Sequence, residues 1–261
     1  MIDFVNEIEG FNDELKAILT AKRIGQIERT IQPDFNMWDL DRVSDVDVSR
    51  FDQPPWKRLF RIYTKMRYGT HGGTPLYAFA RGLVPITLRQ FDVRWDHRRK
   101  HLIFPVRWQN RIIGYQRRVT VTEDEAFGKY RNSAGLPRLR IFYWTRQWID
   151  DEGFPPLLVE GVLDALRAVQ FGWKHVVHPF GCKVSPIQRE WLQRLMRHYT
   201  TLYVAFDNDR EGRDAERALS LGIRVPKKHW GGVSDIGGLT KTQFWLSMRD
   251  AGWTQGGDWT R

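Results

Sequence analysis

At 261 residues and 41% apolar content, the chain is long enough to bury a sizeable core, in one large domain or two small ones. Its one cysteine, Cys182, excludes an internal disulfide, and excludes zinc sites of four cysteines or of two cysteines with two histidines. The formal charge of +10 points to an anionic partner, and its distribution says more than its total. Residues 1–56 hold 6 Lys+Arg against 12 Asp+Glu, a net of −6; residues 57–150 hold 20 against 6, a net of +14; residues 151–261 hold 15 against 13, a net of +2. A segment as basic as the middle one suits a polyanion.

Residues 1–31 carry helix-like spacing, with Ile8, Phe11, Leu15, Ile18 and Leu19 on one face. The acidic stretch DLDRVSDVDVSRFDQPP then reads as a linker ending at Pro54-Pro55. Helices are expected over 56–68, 75–81 and 85–91, the first stopped by GTHGG. HLIFPVRWQNRIIGYQRRV reads as a β-hairpin turning at Gln109-Asn110, and GKYRNSAGLPRLRIFYW as a loop-rich segment. Asp150-Asp151-Glu152-Gly153 marks a boundary.

From Pro155 the pattern alternates. LLVE, HVVHPFG and LYVAFD read as buried strands. GVLDALRAVQFG, SPIQREWLQRLMRHY and GRDAERALSLG read as the helices that follow them, with Ser185 as a cap and Pro186 at a first helical position. Three βα units in a row imply a parallel sheet flanked by helices. The expected fold class is therefore α/β, preceded by a smaller basic mixed α+β subdomain. The expected divisions are an acidic amino-terminal segment over 1–56, the basic subdomain over 57–152, the α/β domain over 153–245 and a tail over 246–261. No apolar run approaches the roughly 20 residues that span a bilayer. MIDFVNEIEG also lacks the order of a signal peptide, so a cytoplasmic location is expected and no membrane partner.

The chemistry concentrates in two acidic groups. Asp207 and Asp209, in AFDNDREGRDA, sit at the carboxyl end of an expected strand, where residues two apart face the same way. Glu160 ends another strand, Asp164 lies one turn into the next helix, and Gly161 would let the chain turn sharply between them. Asp235 adds a fifth carboxylate on a glycine-flanked loop. Hard oxygen ligands of this kind suit Mg2+, and two such ions assist phosphoryl transfer. Helix-dipole preference alone offers a plainer account of Asp164, Asp209 and Glu211. An EF-hand is excluded, because the loop's twelfth position would be Ala218.

Strand-EGxxDAL followed by strand-DxDxxGxxA resembles the TOPRIM domain of DnaG-type primases, topoisomerases and several nucleases, over roughly residues 155–239. The resemblance implies Glu160 as the catalytic carboxylate, with Glu160, Asp164, Asp207, Asp209 and Asp235 around two or more Mg2+ or Mn2+ ions. Upstream, PLYAFARGLVPITLRQFDV, LIFPVRWQNRIIGYQRRV and GKYRNSAGLP are similar, in family order, to elements of the RNA-polymerase part of DnaG-type primases. By that likeness Arg81, Arg117 or Arg118, Lys129, Tyr130 and Asn132 contact template or nucleotide. Neighbours on a strand face opposite ways, so one of the two arginines is expected to reach it.

The implied activity is template-directed RNA primer synthesis on single-stranded DNA from ribonucleoside triphosphates. A replicative helicase and a zinc-binding module on a separate chain are the further partners implied. A TOPRIM nuclease and a non-catalytic single-stranded-DNA-binding adaptor are the alternatives. Tyr143, Trp144 and Trp148 flank basic residues and could stack bases, but core packing is the favoured role for each.

Overall fold

Proline and glycine punctuate the first described residues. In the computed structural model, which describes residues 76–96, 99–108, 111–120, 128–145 and 154–254, helix α1 (Leu76–Ala80) ends at Gly82 and α2 (Pro85–Gln90) opens on Pro85. A proline there loses no helical hydrogen bond and has its φ preset. The readings made for residues 1–75, for the Gln109-Asn110 turn, for Trp148, for the boundary at 150–153 and for residues 255–261 lie outside the described residues.

Among the described residues there are two sheets. The first is antiparallel in the order β1 (Arg94–Asp96), β2 (His101–Trp108), β3 (Arg111–Val119), β4 (Tyr130–Asn132). The expected hairpin forms as β2 and β3, with His101 opposite Val119, Trp108 opposite Arg111, and a register shift at Val106/Arg107. Seven of the eight β2 residues are buried, so both of its faces are covered. The segment around Lys129 to Ser133, read as loop-rich, instead supplies β4, which pairs Tyr130 with Arg118 and Asn132 with Gln116.

The second sheet has the order β5 (Tyr143–Trp144), β7 (Val176–His178), β6 (Leu157–Val159), β8 (Tyr203–Ala205), β9 (Ile223–Arg224). Strands β7, β6, β8 and β9 run parallel. The three central strands are buried along their whole length, as a sheet covered on both faces requires. The helices alternate with them as expected: α3 (Val162–Gln170), α4 (Pro186–Tyr199) and α5 (Arg210–Leu219). Ser185 caps α4 in a reciprocal box with Gln188, which satisfies two otherwise orphaned amides. The α/β class with a preceding mixed α+β part is what the chain adopts.

Two boundaries depart from expectation, and two aromatics take the core role favoured for them. Strand β5 lies before the expected start at 153 yet joins the parallel sheet, antiparallel to β7, with Tyr143 opposite His178. Tyr143 and Trp144 are each 1% exposed, and they pack on His178 and Trp191, so neither is available to stack a base. Helix α6 (Lys241–Asp250) crosses the expected division at 245, and its Met248 sits in the core with Trp173, Phe244 and Trp245. A capping box of Thr240 and Gln243 starts that helix.

Candidate metal-dependent active site

Parallel pairing of β6 with β8 sets Val159 beside Ala205, so both chains leave the sheet at the same edge. Glu160 follows one strand and Asp207 the other, and the Asp207 backbone N–H donates to the Glu160 carboxylate. This is the crevice at the carboxyl ends of the strands where open α/β sheets bind ligands.

The route to that edge differs from the sequence expectation at two points. Strand alternation does not align Asp207 with Asp209, because β8 ends at Ala205. Asp209 is instead the N-cap of α5, and its Oδ1 accepts the Gly212 N–H at 2.7 Å. Gly161 does not need its conformational freedom, since its φ is −129°. It is required for space: a Cβ there would lie 2.9 Å from Asp164 Oδ2. Gly212 is similar, because a Cβ would collide with the Asp207 backbone.

Asp164, in the first turn of α3, is 7% exposed, and its Oδ1 accepts the Gly237 N–H at 3.0 Å. Gly237 belongs to a 3-10 turn (Ile236–Gly238) capped by Asp235, whose Oδ1 accepts the Gly238 N–H at 2.8 Å. The Asn208 N–H donates to the Ser234 carbonyl at 2.6 Å, which ties this loop to the turn bearing Asp207.

Crowding of carboxylates sets the electrostatics. Burial first, then the charges of Asp209, Asp164 and Glu211, push Glu160 up to about 7, against the pull of the Asp207 N–H. Burial, Asp207 and Asp235 push Asp164 up to about 8, opposed by the Gly237 N–H and Arg81. Burial, Glu160, Asp235 and Asp209 push Asp207 up to about 7, and Lys227 opposes them. Glu160, Asp164 and Asp207 thus each feel other carboxylates, Asp209 and Asp235 among them.

Whether they fit a divalent cation turns on the donors. Glu160 Oε2 is buried and accepts no hydrogen bond in the structure. The donors are all hard oxygens that repel one another, and a dication relieves that repulsion. Among the described residues no three of them form a ready-made ligand cage. Mg2+ does not demand one, since it binds through one or two carboxylates, keeps several waters and takes substrate phosphates. The residues fit the ion in that open form.

Asp207 has a buttress that carries no sequence signal. Lys227 Nζ lies 2.7 Å from Glu216 Oε1, with the two side chains 12% and 7% exposed, and also reaches the Asp207 carbonyl. The same Glu216 oxygen accepts the Phe206 N–H at 3.0 Å. An internal ion pair thus props the turn that presents Asp207.

The antiparallel sheet supplies the facing wall. Residues opposite one another in an antiparallel pair share a face, so Gln116 with Asn132 and Arg118 with Tyr130 stand together. Gln116 Nε2 donates to Asn132 Oδ1 at 3.1 Å. The Arg118 guanidinium lies over the rings of Tyr130 and Tyr77, at 4.9 and 5.8 Å, and its Nε donates to the Tyr77 hydroxyl at 2.7 Å. Tyr130 feels the charge of Asp164, and its hydroxyl stands 3.7 Å from the space that a Gly161 Cβ would fill.

Tyr130 is therefore brought to the acids, with Arg118 stacked on its ring and Asn132 two residues along the same face of β4. Arg117 pairs with Arg131 on the other face, and Lys129 is exposed just ahead of β4. Tyr77 and Gln116 belong to the wall although sequence reading did not single them out.

Arg81 arrives by a separate route. Arg167 Nη1 and Gln170 Nε2, both on α3, donate to the Gly82 carbonyl, which pins the α1–α2 turn over the acids. Gly82 has a φ of +69°, and the Arg167 guanidinium occupies the space a side chain would need there. Arg81 Nη2 then meets Asp235 Oδ2 at 3.0 Å.

Residues 157–225 match the Toprim-like family. The DNA primase of Aquifex aeolicus (strain VF5) is 30% identical over 141 residues, which are 48% of this chain and 26% of that protein. The chain thus spans about a quarter of that relative's length. A DnaG primase catalytic domain bound to single-stranded DNA superposes with a TM-score of 0.55 at 19% identity, covering 81% of this chain and 78% of the other. The zinc-binding and RNA polymerase domains of the Aquifex aeolicus primase superpose with a TM-score of 0.57 at 19% identity, covering 90% and 66%. No helix among the described residues is long and apolar enough to cross a membrane. This chain carries the catalytic-core fold of DnaG-type primases, with a Toprim-like domain at residues 157–225.

Proposed function

We propose that the chain is the RNA-polymerase core of a DnaG-type primase, a DNA-directed nucleotidyltransferase that makes short RNA primers on single-stranded DNA. The observation that carries this reading is the meeting of the acids at the β6/β8 edge with the Arg118–Tyr130–Tyr77 wall. One side offers hard anionic ligands and the other offers a cation flanked by aromatic rings, the pairing that a polyphosphate and an unstacked base require.

In this reading Glu160, Asp164, Asp207 and Asp209 hold two or more Mg2+ or Mn2+ ions, with Asp235 as a further ligand. When bound, such ions supply charge neutralisation at the transferring phosphorus and lower the pKa of the attacking hydroxyl. Glu160 accepts the proton of the primer 3′-hydroxyl as it attacks the α-phosphorus of a ribonucleoside triphosphate. Pyrophosphate leaves. Arg81 and Arg118 face the phosphates, Tyr130 and Asn132 line the nucleotide, and Arg117 and Lys129 contribute to the outer positive field that draws in template.

The working setting is the replication machinery of a bacterial or virus-infected bacterial cytoplasm, beside a helicase. Sequence selection on the template falls to a zinc-binding module, of the kind the Aquifex protein carries beside its RNA polymerase domain.

The test is incubation with single-stranded DNA, labelled ribonucleotides and Mg2+ or Mn2+, beside Asp207→Asn. Labelled oligoribonucleotides made by the unaltered chain and lost in the variant are the expected result. Shortened DNA would establish a nuclease in its place, and binding without turnover an adaptor.

A further inference from the structure

Arg81 and Asp235 form an ion pair whose placement is built by the fold. Arg167 and Gln170 hold the Gly82 carbonyl, so the residue before it is delivered to the acids by fixed backbone. Each oxygen of the Asp235 carboxylate then has a donor, Oδ1 the Gly238 amide and Oδ2 the guanidinium. The side chains are 34% and 18% exposed, so solvent screens the pair only in part. Asp164 and Asp207 feel Asp235 as a repelling charge, and Asp164 feels Arg81 as a relieving one. Without a dication, Arg81 is the cation that neutralises this end of the cluster.

We infer that Arg81 is a resident counter-ion that competes with the divalent cation for Asp235 Oδ2, and that metal binding releases its guanidinium from that oxygen. The inference rests on the reading of Asp235 as a metal ligand given above. A single oxygen cannot accept both a guanidinium N–H and a metal at bonding distance along the same direction, so each weakens the other. The released fork is then free for the phosphates that accompany the metal. Removing Arg81 thus has opposite effects on two ligands: metal affinity rises while triphosphate affinity falls. A residue that merely supports the fold would lower both.

The experiment is a Mn2+ titration of the protein without nucleotide or DNA, with free Mn2+ read by electron paramagnetic resonance. Arg81→Gln is expected to bind Mn2+ about fivefold more tightly, the scale of a partly screened ion pair. Arg81→Lys, which keeps the charge, should stay near the unaltered chain. Adding Asp235→Asn to Arg81→Gln should remove the gain. Unchanged or weaker binding in Arg81→Gln, or a gain that survives Asp235→Asn, would overturn the inference.

A second readout needs no loss of the arginine. The Arg81 Nε–Hε resonance, assigned by its absence in Arg81→Lys, should shift as Mg2+ saturates the unaltered chain, and a resonance that does not move overturns the inference. Binding that is lost in Asp207→Asn yet unaffected by Arg81→Gln would sink only the counter-ion role. Mn2+ binding to none of these proteins would sink the metal reading with it.

Discussion

The two sheets solve opposite electrostatic problems. The parallel sheet gathers carboxylates where they repel one another, and burial and mutual charge raise Glu160, Asp164 and Asp207 well above the ordinary carboxylate range. The antiparallel sheet presents a cation, Arg118, and places it over the rings of Tyr77 and Tyr130. The acids are rigidly held: Asp164 by Gly237, Asp209 by Gly212, and the Asp207 turn by the Lys227–Glu216 pair. The Arg118 guanidinium is held by the Tyr77 hydroxyl and by the faces of Tyr77 and Tyr130. A chain that places hard oxygen ligands on one side and a guanidinium flanked by aromatic rings on the other suits a dication bound to a polyanion.

That contrast is open to attack at the acid side first. Lys227→Met leaves Glu216 as a buried carboxylate without its cation, and is expected to cost about 3 kcal/mol of stability. Chemical denaturation would check it; a loss below about 0.5 kcal/mol, the size of a surface pair, would mean the turn needs no buttress. Gly212→Ala is expected to cost about 2 kcal/mol, the usual penalty for overpacking, because its methyl group meets the Asp207 backbone. It should also weaken Mn2+ binding, as the turn shifts. A variant with unaltered stability and metal affinity would show that the close approach is dispensable.

The smallest effect, and the most diagnostic of electrostatics, is the pH dependence of metal stabilisation. Carboxyls whose folded pKa lies above the unfolded value favour the folded state only while protonated. For Glu160, Asp164 and Asp207 the disadvantage begins above about pH 4, near the unfolded values, and grows until pH passes about 7 to 8. His178 works the other way. Burial holds its pKa near 3, so its contribution is complete above about pH 6.5 and is lost as the pH falls toward 3.

The two trends overlap, so the total stability profile does not isolate either. The increment due to Mg2+ does. It should raise Tm by a few degrees at pH 8, where the acids are deprotonated and repelling, and by less at pH 5.5, where protons compete with the ion. Equal increments at both values would break the link between carboxylate repulsion and metal binding.

The same contrast explains what could be read from sequence. The acids lie in strand–turn–helix units of about a dozen residues, so local pattern located Glu160, Asp164, Asp207 and Asp209 together with the elements that carry them. Even there, local reasoning misassigned the cause at Asp209, an N-cap, and at Gly161, which is needed for space. The wall depends on partners far apart in the chain. Tyr77 meets Arg118 across 41 residues, and Arg81 meets Asp235 across 154. No periodicity encodes such meetings. The family likeness named Arg81, Arg117 or Arg118, and Tyr130, yet it gave no hint that Arg81 would sit on an acid. Strand β5 was invisible for a related reason, since two residues are too short to show alternation and their pairing with β7 is nonlocal. Helix α6 had a readable start in Thr240 and Gln243, but the division drawn at 245 cut across it.

The most direct test separates the two sheets by function. Template binding and ribonucleotide incorporation are measured side by side on single-stranded DNA for Glu160→Gln and Arg118→Ala, across a range of salt concentrations. Glu160→Gln should bind DNA as the unaltered chain does while incorporation falls about a thousandfold, the scale seen when a preorganised electrostatic group is removed. Arg118→Ala should weaken binding and flatten its salt dependence by about one counterion. Equal loss of binding in both variants, or incorporation that survives Glu160→Gln, would contradict the division of labour between acid edge and basic wall.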